Sequence, residues 1–147
     1  MIGTYFRSQV CLVLLLVFFL VGCTERNAPP APTPEVLLQA IPAANSAQFD
    51  RIRDMKTWRN PYLIVRRDGV ALFDVSDSAE IVLKPAELLP ALAALPASNW
   101  PYGRVVAAAE NSAKDSEQDG IAIRRNKGIV GGILANAHIA IKWVPST

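Results

Sequence analysis

Apolar positions fall into two regimes along the 147 residues. From Val10 to Val21 they run without interruption (VCLVLLLVFFLV). Beyond that they come in short groups, and the spacing within each group predicts its element. Phe49, Ile52 and Met55 recur every third residue among Asp50, Arg51, Arg53, Asp54 and Lys56. This is the stripe of an amphipathic helix capped by Asn45 or Ser46. Tyr62–Arg66 (YLIVR) and Val70–Val75 (VALFDV) are rich in β-formers and flank Arg67-Asp68-Gly69, the turn chemistry of a hairpin. Glu80–Leu83 (EIVL) predicts a third short strand. Leu88, Leu89, Leu92 and Leu95 line a second helix, whose start takes up Pro85 or, with a later start, Pro90 in its first turn. Arg104–Ala109 (RVVAAA) has the small, branched apolar run of a buried central strand. The pattern lapses over Glu110–Gly120 (ENSAKDSEQDG), which predicts a surface loop. Ile121–Arg125 then predicts a short strand. Lys127–Asn136 predicts a helix capped by Asn126, with Ile129, Val130, Ile133 and Leu134 as its apolar side. His138–Val144 (HIAIKWV) alternates as a closing strand, with Ile139, Ile141 and Trp143 on one side and His138, Ala140 and Lys142 on the other.

The resulting order, α-β-β-(β)-α-β-β-α-β, predicts a single small domain of the α+β or α/β class. Its sheet is mixed and its helices cover one face. Residues 1–22 read as a leader, 23–45 as an anchor and tether, and 46–147 as the domain. The tether begins TERNAPPAPTP, with Pro29, Pro30, Pro32 and Pro34 favouring polyproline II at about 3.1 Å per residue. Such a segment acts as a semi-rigid spacer.

The run that ends at Val21 is too short for a bilayer core, which needs about 20 apolar residues in a helix. It has the length of a signal-peptide core. Leu20-Val21-Gly22-Cys23 closes it, and this stretch resembles the lipobox of bacterial lipoproteins. The resemblance implies cleavage before Cys23, lipid on Cys23 and a place in the cell envelope facing the periplasm. Each buried methylene of such a lipid contributes about 0.8 kcal/mol to membrane attachment. Thr24 stands where aspartate favours inner-membrane retention in enterobacterial lipoproteins, so the outer membrane is the expected site.

Composition narrows the chemistry. With Lys+Arg 15 against Asp+Glu 13, and only the pairs Arg66-Arg67 and Arg124-Arg125, the chain lacks a nucleic-acid footprint. Cys11 lies in the leader and Cys23 at its end, so a domain starting later has no thiol for a disulfide, a zinc site or a nucleophile. His138 is the single histidine, and no GxSxG turn accompanies it. Asp74, Asp77 and Glu80 lack the spacing of a calcium loop. Glu110, Asp115, Glu117 and Asp119 are the one carboxylate group suited to sugar hydrolysis. Lys127-Gly128-Ile129-Val130-Gly131-Gly132 is glycine-rich without the GxxxxGK[ST] order, which favours close helix packing over phosphate binding. Trp58, Trp100 and Tyr102 are the candidate partner-binding aromatics, with core packing as their alternative fate.

The order of elements is similar to the periplasmic domain of the ExbD/TolR family. The matching stretches are Leu63-Ile64-Val65-Arg66-Arg67-Asp68-Gly69 with Val70-Ala71-Leu72-Phe73, Leu88 to Leu95, Val105-Val106-Ala107-Ala108-Ala109-Glu110, and Ile133-Leu134-Ala135-Asn136-Ala137 leading into Ile139-Ala140-Ile141. Glu110 stands where the family has aspartate. The family's proton-handling helix has no counterpart here, because no acidic residue precedes Glu25. The resemblance therefore implies a small domain that binds partners or cell wall, without the motor role. The sequence reading is a non-enzymatic envelope lipoprotein that binds an envelope protein or peptidoglycan, with no cofactor and no metal. Its alternatives are a small cell-envelope hydrolase using the loop carboxylates, and a periplasmic small-ligand sensor using Gly128–Gly132.

Overall fold

The structure is a computed structural model that describes residues 30–74, 79–111 and 116–145. Its packed unit begins at Pro32. In chain order the regular elements are α1 (Pro34–Gln39), α2 (Ser46–Phe49), β1 (Tyr62–Val65), β2 (Val70–Asp74), β3 (Ala79–Leu83), α3 (Leu88–Ala94), β4 (Val105–Glu110), α4 (Glu117–Asn136) and β5 (Ala140–Trp143). The strands form one mixed sheet in the order β3-β2-β1-β4-β5. The β1–β2 and β2–β3 pairs are antiparallel, and β1–β4 and β4–β5 are parallel. The domain is of the α+β class, as the hydrophobic pattern predicts.

The hairpin forms where the turn chemistry places it. The Arg66 N–H donates to the Gly69 carbonyl at 2.9 Å. Gly69 has φ 155°, and a Cβ on it would collide with the Leu83 carbonyl of β3. Only glycine lets β3 run this close to the turn. β4 is an interior strand between β1 and β5, fully buried from Val105 to Ala109. Its alternate residues serve two cores. Val106 and Ala108 face the helices, packing with Leu38 of α1, Leu88 and Leu92 of α3, and Val130 and Leu134 of α4. Val105 and Ala107 face the opposite way, under Phe49 and Trp58. Lys142 secures that second layer, its Nζ donating to the carbonyls of Phe49 at 2.6 Å and Asp50 at 3.2 Å.

Three elements differ from the pattern. The helix predicted through Met55 stops at Phe49 and resumes as a 3-10 turn at Met55–Thr57. Local bonds compete with it: Asp54 accepts from the Lys56 N–H at 2.9 Å, and the Thr57 hydroxyl donates to the Asp54 carbonyl at 2.7 Å. Ile52 and Met55 still reach the second core.

The strand predicted at Ile121–Arg125 is helix, part of a continuous 20-residue α4. A strand there had no partner available in the sheet's centre, since β1 and β5 occupy both edges of β4. Ser116 instead caps the helix, accepting from the Asp119 N–H at 3.2 Å, and Glu117 and Asp119 suit its positive end. Ile123, Asn126, Val130 and Leu134 then turn inward at helical spacing. Finally, residues 34–41 do not belong to a free tether. Leu38 of α1 is fully buried in the main core, so the packed unit starts earlier than residue 46.

Candidate functional site

The outward flank of α4 faces the exposed edge of the sheet. At about 3.6 residues per turn, the inward residues Ile123, Val130 and Leu134 place Lys127, Gly131, Arg124 and Gly128 together on one side of the helix. That side, Glu110 at the carboxyl end of β4 and Trp143 on β5 line a cavity of about 540 Å³. The volume lies within the roughly 300–1,000 Å³ of small-molecule sites.

Lys127 ties the crevice together. Its Nζ lies 2.8 Å from Glu110 Oε1 and 4.4 Å from the centre of the Trp143 ring. The contact with the ring is a cation–π interaction. Trp143 is 41% exposed, in contrast to Trp58 at 2% and Trp100 at 3%. One large aromatic surface in the described domain is therefore open to a ligand, and it lies in this crevice. Arg124 enters into no ion pair among the described residues.

The glycines have a different role from the one their sequence suggests. A Cβ at Gly128, Gly131 or Gly132 meets nothing within 4 Å. Helix-to-sheet packing therefore does not require them. In a helix interior each is less favourable than alanine by about 1 kcal/mol. Gly128 and Gly131 line the cavity, and a side chain on either would project into it. Their absence of side chains keeps the crevice open.

Other sequence candidates scatter. Leu20, Val21, Gly22 and Cys23 lie outside the described residues, as do Asp77 and Asp115. Trp58 and Trp100 are buried in different cores, which removes both indoles from the candidate contact surface. Tyr102 packs tilted against Trp58, with ring centres 5.2 Å apart and planes at 55°. Core packing accounts for all three: Trp100 sits in the main core with Leu88 and Val106, while Trp58 lies in the second core beside Phe49 with half-buried Tyr102 packed against it. His138 is exposed in the turn between α4 and β5 with φ 56°, away from the crevice. Glu80 pairs with Arg66, and Asp119 lies 3.3 Å from Arg67. Among the described residues no group of three His, Cys, Asp or Glu side chains is arranged to hold a metal ion.

Sequence reasoning missed Arg124 and Trp143. Reading α4 from Ser116 would have aligned Arg124, Lys127, Gly128 and Gly131 on one flank. The pairing with Trp143 needed the β4–β5 register, which sets Ala108 beside Trp143. Fold and crevice together define a small α+β domain with an open, aromatic-walled, charged groove. No family model, no curated protein and no solved structure matches the chain.

Proposed function

We propose that this protein is an envelope lipoprotein that works by binding, and that the crevice between α4 and β5 is its contact surface. The partner is an envelope protein or peptidoglycan, in keeping with the ExbD/TolR-like order of elements. The crevice carries the reading: its aromatic wall is exposed, its rim is charged, and two helix glycines that packing does not require hold it open. The lipobox at Leu20–Cys23 and the proline-rich segment after it supply the attachment and the spacing from the membrane.

The test combines two measurements in living cells. A photoreactive residue placed at position 143 or 128 should crosslink to one envelope component, whereas the same residue at Gln39 should not. Radiolabelled palmitate should enter the wild-type chain and not Cys23→Ala. Crosslinking that is equal at all three positions sinks the binding surface. Label retained in Cys23→Ala sinks the lipoprotein assignment.

A further inference from the structure

The crevice has a chemistry that goes further than binding in general. Arg124 and Lys127 bring two positive charges to its wall, and Glu110 brings one negative charge. Glu110 and Lys127 satisfy each other at 2.8 Å. Arg124 is left as the cation in excess, one turn before Gly128 on the same flank. A guanidinium holds a carboxylate through two parallel N–H···O bonds. With Glu110 offset by Lys127, one net positive charge remains in the wall and matches one negative charge on the ligand, which disfavours a phosphate dianion. Trp143, which lines the same cavity, presents an exposed aromatic surface with the Lys127 ammonium 4.4 Å from its ring centre. Gly128 and Gly131 leave the space between helix and wall clear.

We propose that the crevice is a site for a small organic carboxylate carried on a ring, with the carboxylate on Arg124 and the ring against Trp143. This rests on the binding reading above and names the ligand class for that same surface. Lys127 and Glu110 set the distance between the two halves of the site. Their mutual ion pair fixes the Lys127 ammonium over part of the indole, and the ligand ring takes the rest of its exposed surface.

The assignment is tested by NMR on the full-length, nitrogen-15-labelled chain. Three indole N–H signals are expected, and Trp143→Phe identifies the one from the crevice. Benzoate and glucuronate are titrated beside benzamide, glucose and phenyl phosphate. Saturable shifts of the Trp143 signal with the two carboxylates, at least tenfold weaker for the neutral compounds and for phenyl phosphate, are the expected result. Arg124→Gln should weaken benzoate at least tenfold. Gly131→Ala should also weaken it, at least threefold, while raising the midpoint of thermal unfolding, a combination that a merely structural glycine does not give. The proposal is overturned by an unmoved Trp143 signal, by equal affinity for benzoate and benzamide, by tighter binding of phenyl phosphate, or by an undiminished affinity in Arg124→Gln. The two readings fail separately. Crosslinking at position 143 with no carboxylate response leaves the binding surface standing and removes the carboxylate. A carboxylate response without crosslinking does the reverse.

Discussion

Asn60 is fully buried, yet it carries three hydrogen bonds. Its Nδ2 donates to the carbonyls of Gly103 and Val105, both at 2.7 Å, and its Oδ1 accepts from the Tyr102 N–H at 3.0 Å. A single amide thus joins the entry to β1 to the loop that feeds β4. Replacing it with leucine keeps the branching and leaves the Val105 carbonyl and the Tyr102 N–H without this partner, while the Gly103 carbonyl retains the Val105 N–H at 2.8 Å. Each unsatisfied group costs about 1–3 kcal/mol. Asn60→Leu should therefore lose about 2 kcal/mol or more in urea unfolding with an unchanged m-value. A loss below about 1 kcal/mol would show that water takes over these bonds. In the sequence Asn60 reads only as part of an Asn-Pro break. The reason is physical: its partners lie 43 and 45 residues away, and a local pattern holds no record of them. Asn126 repeats the lesson. It reads as a helix cap, but it sits within α4 and donates to the carbonyls of Arg66 at 2.8 Å and Arg67 at 3.2 Å, clamping the hairpin turn.

At the scale of elements, α4 decides both the fold and the crevice. The sheet strands were legible because alternation and turn residues are local signals, and β1, β2, β3, β4 and β5 all lie where the pattern sets them. The first half of α4 was not legible. Ile121, Ile123 and the arginines after them read as a strand, and Gln118, Asp119 and Gly120 before them hide the helical period. Only burial of Ile123 and Asn126 against the sheet reveals it. The crevice was half-legible for the same reason: its glycines stood out, and their purpose did not. Gly132 separates the two effects. It is exposed, outside the cavity, and a Cβ on it meets nothing. Gly132→Ala should stabilise the fold by about 1 kcal/mol, the difference in helix propensity, and leave any crevice ligand unaffected. Thermal unfolding checks the first part. A destabilised Gly132→Ala would mean that α4 bends at this residue, and that its glycines serve the backbone before they serve the crevice.

For the molecule as a whole, the decisive residue is Leu38. Under the lipoprotein reading, the place where the spacer ends sets how far the crevice stands from its anchor. Were the segment free to residue 45, the reach would include α1. Because α1 packs against α3 and Leu38 sits fully buried among Leu63, Leu88 and Leu92, that reading limits the spacer to residues 24–31, ahead of the packed unit. At about 3.1 Å per residue this is a reach of about 25 Å. Removing a buried leucine side chain costs about 2–5 kcal/mol. A chain beginning at Pro32 should therefore unfold at the same temperature as one beginning at Cys23. One beginning at Ser46 loses all of α1 and should unfold well below both, with Leu38→Ala in the longer chain reproducing much of the loss. Differential scanning calorimetry on the four proteins settles it. Equal midpoints for the chains starting at Pro32 and Ser46 would release α1 from the core, lengthen the spacer, and let the crevice sample a wider shell around its anchor than the packed helix allows.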